Sequence, residues 1–155
     1  MKIKVKEIVG GCMPVRTNGV NSDMFDLTLG EDVTLKKGET YIARLGVAME
    51  LPKGMVGVII SRSSSPTKLG VMIANSVGLI DQTYNGNEDE WKAPLQAIRA
   101  TTISKGTRIC QFAIVPSQFS TVWQKLRWLF SNKLLLEKVD MLGNENRGGI
   151  GSTGK

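Results

Sequence analysis

Glycine-marked turns recur along this chain at Lys37-Gly38, Lys53-Gly54, Asn85-Gly86 and Lys105-Gly106. Between them lie strand-like runs at residues 41–50, 55–60, 95–100 and 108–115. Many short strands punctuated by glycine turns predict an all-β sandwich or barrel. With 155 residues, 41 % of them hydrophobic, one domain around one core is expected. No apolar run approaches the roughly 18 residues of a membrane span, so no membrane partner is expected. The N-terminal MKIKVKEIV alternates charged and β-branched residues and reads as a first strand rather than a signal peptide. Cys12 and Cys110 lie far apart with no metal-ligand spacing, so a reduced cytosolic protein without a disulfide is expected.

One segment breaks the β pattern. Residues 120–132, STVWQKLRWLFSN, carry Val122, Leu126, Leu129 and Phe130 at helical spacing, with Ser120 as candidate N-cap. Trp123 and Trp128 point away from the centre of that face, and Lys125 and Arg127 are interleaved. Part of this aromatic surface is therefore expected to be exposed or to meet another protein, with packing on the barrel or on another subunit as the competing reading. A last strand is expected at residues 134–139, and the glycine-rich residues 144–155 read as a flexible arm. The net charge of +6 suits a polyanionic ligand, either nucleic acid or a nucleotide triphosphate. No long lysine-arginine run and few aromatics occur, so direct nucleic-acid binding is not expected.

The stretch NSVGLIDQTYNG, residues 75–86, carries the chemistry. Its apolar run, Val77, Leu79 and Ile80, reads as a buried strand ending on Asp81, and Asn85-Gly86 signals a tight hairpin. The chain has no histidine, so a general base must be a carboxylate, and Asp81 is the best-placed candidate. Taken alone, a strand ending in Asp before a turn is more often simply a turn residue.

Four further blocks follow in order: SDMFDL (22–27), SRSSS (61–65), KGTRICQF (105–112) and NRGGIGSTG (146–154). Together with residues 75–86 they resemble the five motifs of the trimeric dUTPases, the deoxyuridine triphosphate nucleotidohydrolases, in a phage- or prophage-like form. The resemblance implies a distorted jelly roll at residues 1–143 with one inserted short helix. It also implies hydrolysis of dUTP to dUMP and pyrophosphate, which limits uracil incorporation into DNA and supplies dUMP. Asp81 would then activate the attacking water, while Arg62 organises the site and Ser63, Ser64 and Gln111 contact the phosphates. Asn75 and the backbone around Gly78 and Ile80 would read uracil, and Tyr84 would pack on the sugar. Asp26 would reach Mg2+ through its water shell, the metal being held mainly on the triphosphate. The family builds its sites between the subunits of a homotrimer, with the tail, here Arg147, Ile150, Ser152 and Thr153, supplied by another protomer. The setting implied is the cytoplasm, that of a bacterial host if the chain is phage-encoded.

Two departures stand out. Thr83 replaces the family's second acid in the hairpin block, a change expected to matter little. The tail is two residues short from Arg147 to Ile150, and Ile150 replaces the phenylalanine that covers the base. Trp91 is a candidate for the missing aromatic cover, with a core role as the alternative. A dCTP deaminase on the same fold is the enzymatic rival, and a nucleotide-binding regulator acting through the inserted helix is the other.

Overall fold

The structure, a computed structural model, describes residues 1–16, 22–131 and 133–149. Alternation in the sequence becomes alternation of burial. In β1 (Lys2–Glu7) Ile3 and Val5 are fully buried while Lys2 and Lys4 face solvent. The long pair β6 (Met55–Ser61) and β11 (Arg108–Pro116) send Met55, Ile59, Phe112 and Ile114 inward. These two strands pair antiparallel from Met55↔Pro116 to Ser61↔Cys110. β2 (Phe25–Thr28) flanks β11 and β8 (Val77–Ile80) flanks β6, which completes the sheet β2-β11-β6-β8.

Three smaller sheets close the barrel. β12 (Leu135–Val139) pairs parallel with β1, which pairs antiparallel with β5 (Val47–Glu50). β9 (Lys92–Ala97) lies between β4 (Thr40–Arg44) and β7 (Val71–Ile73). β3 (Val33–Leu35) pairs with β10 (Thr101–Ile103). The result is an all-β, jelly-roll-like body with one short helix, α1 (Val122–Leu129).

Several local expectations change. Residues 41–50 form two strands rather than one, because Gly46 adopts φ +70° between β4 and β5. β8 is not a buried strand: it is the free edge of its sheet, with Leu79 71 % and Val77 48 % exposed. Asn85-Gly86 does not turn a hairpin, since β8 pairs with β6 whereas β9 pairs with β4 and β7. Gly86 is needed for a different reason. The backbone of Asn146 passes so close that any Cβ at residue 86 would collide with it.

The helix starts one residue later than expected. Thr121, not Ser120, is its N-cap, and Thr121 and Gln124 form a reciprocal capping box. Ser120 instead donates its hydroxyl to the Gly54 carbonyl and so ties the entry of the helix to the turn before β6.

Trp91 belongs to the core. Its ring is fully buried and meets Phe112 edge-on at 5.1 Å, and Phe112 in turn stacks on Phe25. It is thus unavailable as an aromatic cover over a bound base, because the barrel closes around it. Trp91→Ala should cost about 3–5 kcal/mol of stability, read by urea unfolding; a variant as stable as the parent would place the ring outside the core.

Candidate active site

Asp81 follows directly on β8, and the local chain is built to keep it ionised. Its Oδ1 accepts from the Thr83 N–H at 2.9 Å and from the Thr83 hydroxyl at 3.1 Å. Its Oδ2 faces the Arg147 guanidinium at 3.6 Å. The Thr83 N–H is the largest influence on this carboxylate, and with the Thr83 hydroxyl and Arg147 it outweighs burial and holds the pKa below the usual range. Thr83, expected from the sequence to be a replacement of little consequence, supplies both of the donors to Asp81 Oδ1. An acid at position 83 could offer no hydroxyl donor when ionised, whereas threonine donates twice.

Tyr84 is half-buried, and its hydroxyl donates to the Glu90 carbonyl at 2.7 Å. Burial first, then the charges of Asp89 and Glu90, push its pKa up to about 12, so the phenol stays neutral. Asn75, Gly78 and Ile80 line a small cleft of about 90 Å³ closed by Ile59, Ile73 and Pro94. That volume is well below the several hundred Å³ of a typical whole-ligand pocket, so the cleft fits one ring of a ligand. The turn entering β8 carries Ser76 at φ +61°, a left-handed conformation rare outside glycine.

The loop after Tyr84 and the start of the tail are locked together by one carboxylate. Asp89 is 1 % exposed and accepts from the N–H groups of Gly86, Arg147 and Gly148 at 2.9–3.0 Å. Burial works to raise its pKa, and these backbone donors more than offset it. Asn146 adds bonds to Glu88, and the Asn87 side chain accepts from Leu142 N–H. Residues 142–149 therefore lie along their own chain's loop, which places Arg147 beside Asp81. Ile150, Ser152 and Thr153 lie outside the described residues.

A second cluster sits elsewhere. Asp26, 4 % exposed on β2, accepts from Arg62 Nε at 2.9 Å and from Arg108 Nη1 at 3.3 Å. Gln111 is the register partner of Asp26 across β11 and of Ile60 across β6, so Asp26, Arg62 and Gln111 share one end of the sheet. Ser63 is exposed and Ser64 half-buried at the head of a single π turn, Ser65–Leu69. Buried Ser65, not anticipated, anchors that turn by donating to the Ile109 carbonyl at 2.8 Å.

The two clusters do not meet within one chain. Ile80 lies opposite Gly57 near the start of β6, while Arg62 follows its far end at Ser61. At about 3.3 Å per strand residue, the step from position 57 to position 62 separates the clusters by roughly 17 Å. Among the described residues, no group of three or more Cys, Asp or Glu side chains could hold a metal ion directly. Also among these residues, no helix is long and apolar enough to cross a membrane.

Comparison with known proteins agrees with this architecture. The family model described as dUTPase matches residues 18–126. An SPβ prophage-derived deoxyuridine 5′-triphosphate nucleotidohydrolase of Bacillus subtilis (strain 168) is 44 % identical over 132 residues, covering 85 % of this chain and 84 % of the relative. The crystal structure of a Streptococcus mutans dUTPase superimposes with a TM-score of 0.66 at 27 % identity, over 72 % of this chain and 90 % of that one. A mutant dUTPase from phage phi11 of S. aureus, described as coordinating a structural Mg(II) ion, shares the fold at 21 % identity. Its TM-score is 0.65, with 77 % of this chain and 93 % of that one covered. Five motifs in order, a jelly-roll-like body and a match over most of the chain lead to one conclusion: the protein belongs to the dUTPase family.

Proposed function

We propose that the chain is a dUTP diphosphatase whose sites are completed between the subunits of a homotrimer. The observation that carries this reading is the separation of an ionised Asp81 from the Arg62–Gln111 cluster along β6. A second copy brings the missing half of the site within reach. Exposed apolar residues on β8 and β7, Val77, Leu79 and Met72, supply surface for such an assembly.

In this reading the cleft at Asn75, Gly78 and Ile80 takes the uracil ring, and Tyr84 supports the sugar. Asp81 accepts a proton from a water molecule, whose oxygen bonds to the α-phosphorus as the bond from that phosphorus to the departing pyrophosphate oxygen breaks. Arg62, Ser63, Ser64 and Gln111 stabilise charge on the phosphate oxygens, where most of the catalysis of phosphoryl transfer resides. Arg147 is a cation available to the terminal phosphate, and Ile150, Ser152 and Thr153 are assigned to closing the site. The residues present fit a Mg2+ ion bound chiefly by the triphosphate. Both Asp26 oxygens already accept from guanidinium groups, so this carboxylate suits a water of the metal's shell rather than the metal itself. When bound, the ion neutralises phosphate charge. The cytoplasm is the compartment that goes with this activity.

Mixing tests the shared site. Asp81→Asn alone should lose roughly 10²- to 10⁴-fold in turnover, and Arg62→Ala should also be weak. Co-refolded mixtures of the two should regain activity, because some interfaces pair the intact half of each chain. Mixtures no more active than their parents would reject sites shared between subunits.

The Thr83 bonds give a pH prediction. They favour the ionised form of Asp81, so removing the hydroxyl should raise its pKa. Activity needs the carboxylate, so in Thr83→Val the acid limb of the kcat/KM profile should move to higher pH, while Thr83→Ser should leave it in place. An unmoved limb in Thr83→Val would leave Asp81 independent of that hydroxyl.

A further inference from the structure

Most of the apolar side of helix α1 faces outward, with Leu126 at its centre half-buried. At 3.6 residues per turn, Val122, Trp123, Leu126, Leu129 and Phe130 span an arc of about 120°. Trp123 is 80 % and Phe130 79 % exposed, Val122 and Leu129 are similarly bare, and no residue of the helix is buried. Phe119, 84 % exposed, lies just before the helix. The side turned to the barrel carries Gln124, which packs so closely on Gly54 that a Cβ there would meet its amide. Ser120, bonded to the Gly54 carbonyl, fastens the entry, and Ser131, accepting from the N-terminal ammonium at 2.9 Å, fastens the exit. The helix is thus anchored at its entry and at its exit.

The charges at the margins of this apolar ridge and along one neighbouring cleft are cationic. Lys125 and Arg127 fall at the two margins of the apolar arc. Beside the helix, Lys2, Lys53, Arg127 and Lys133 line a cleft against β1 and β12, with no carboxylate among its lining residues. Lys2 is shared with exposed Glu137 at 3.5 Å. Between Trp91 and Glu137 the chain has no acidic residue at all.

From these observations we infer that α1 is a peripheral membrane-docking element that lies in the surface of a bilayer containing anionic phospholipid. Tryptophan, phenylalanine and aliphatic side chains sink into the boundary of the acyl chains. Lysine and arginine at both margins bury their stems and keep their charges at headgroup level. The cationic cleft receives lipid phosphates. A two-fold contact between copies is disfavoured as occupant because it would set these cations against their own equivalents. Single-stranded nucleic acid would use the rings as stacking platforms but gains little from Val122 and Leu129, which hydrocarbon covers well. This is surface association, distinct from the spanning segment that the sequence lacks.

Flotation of the whole protein with vesicles of phosphatidylcholine, with and without phosphatidylglycerol, tests the assignment. Binding should require phosphatidylglycerol, weaken with salt, and fall by about fivefold in affinity for each cation removed in Lys53→Gln and Arg127→Gln. Trp123→Ala/Phe130→Ala should abolish it while oligomeric state, melting temperature and dUTP turnover stay at parental values. No flotation, or flotation that survives the double substitution, would overturn the proposal. So would a loss of assembly or stability in that variant, which would make the ridge an internal interface. Single-stranded DNA bound as tightly as the vesicles, and lost with the same substitutions, would reassign the surface to nucleic acid.

Discussion

Strand β6 is hydrogen-bonded along both edges, to β11 on one side and to β8 on the other, and the rest of the molecule follows from that double pairing. It fixes β8 as an edge strand and delivers Asp81 to one end of the sheet. At the other end it leads directly into Arg62, and through β11 and β2 it brings Gln111 and Asp26 there. A strand has a fixed rise per residue, so no adjustment of side chains brings the two ends together. In the proposed reading the chemistry draws on both ends and so recruits a second chain, for which the exposed apolar residues of β8 are candidate surface.

Backbone donors, rather than clusters of charged side chains, organise the acids near the site. Asp81 is held by Thr83, and Asp89 by three N–H groups drawn from the loop and from the tail. A carboxylate satisfied by N–H donors stays ionised when buried, because the donors replace the lost water. Asp89 thereby ties the beginning of the glycine-rich tail, at Arg147 and Gly148, to the loop of its own chain. It also sets Arg147 beside the Asp81 of its own chain.

Gly54 links the helix to the loop that carries Asp81. Its carbonyl accepts from Ser120, its Cα is covered by Gln124, and its N–H donates to the Gln82 side chain, the residue after Asp81. The helix that presents the apolar ridge and the loop that carries Asp81 therefore share one turn. That common anchor lets the insertion hold its place without contributing a side chain to the core.

What the sequence by itself determined is the part governed by local periodicity and motif order. Alternation predicted the strands at 55–60 and 108–115, helical spacing predicted α1, and the five ordered blocks pointed to the dUTPase family. Tertiary structure alone decided which partner each strand chose. Val77 and Leu79 read as buried because alternation cannot say whether a strand lies at an edge. Asn85-Gly86 read as a hairpin because its other use, leaving room for Asn146, depends on a segment some sixty positions away. Trp91 read as a possible cover or a core ring, and only packing on Phe112 separates the two. Thr83 looked like a neutral replacement because its worth lies in two hydrogen bonds that exist only once the loop has closed on Asp81. Local pattern settles what a segment can become; long-range pairing settles which of its faces meets water, and that choice decides the site.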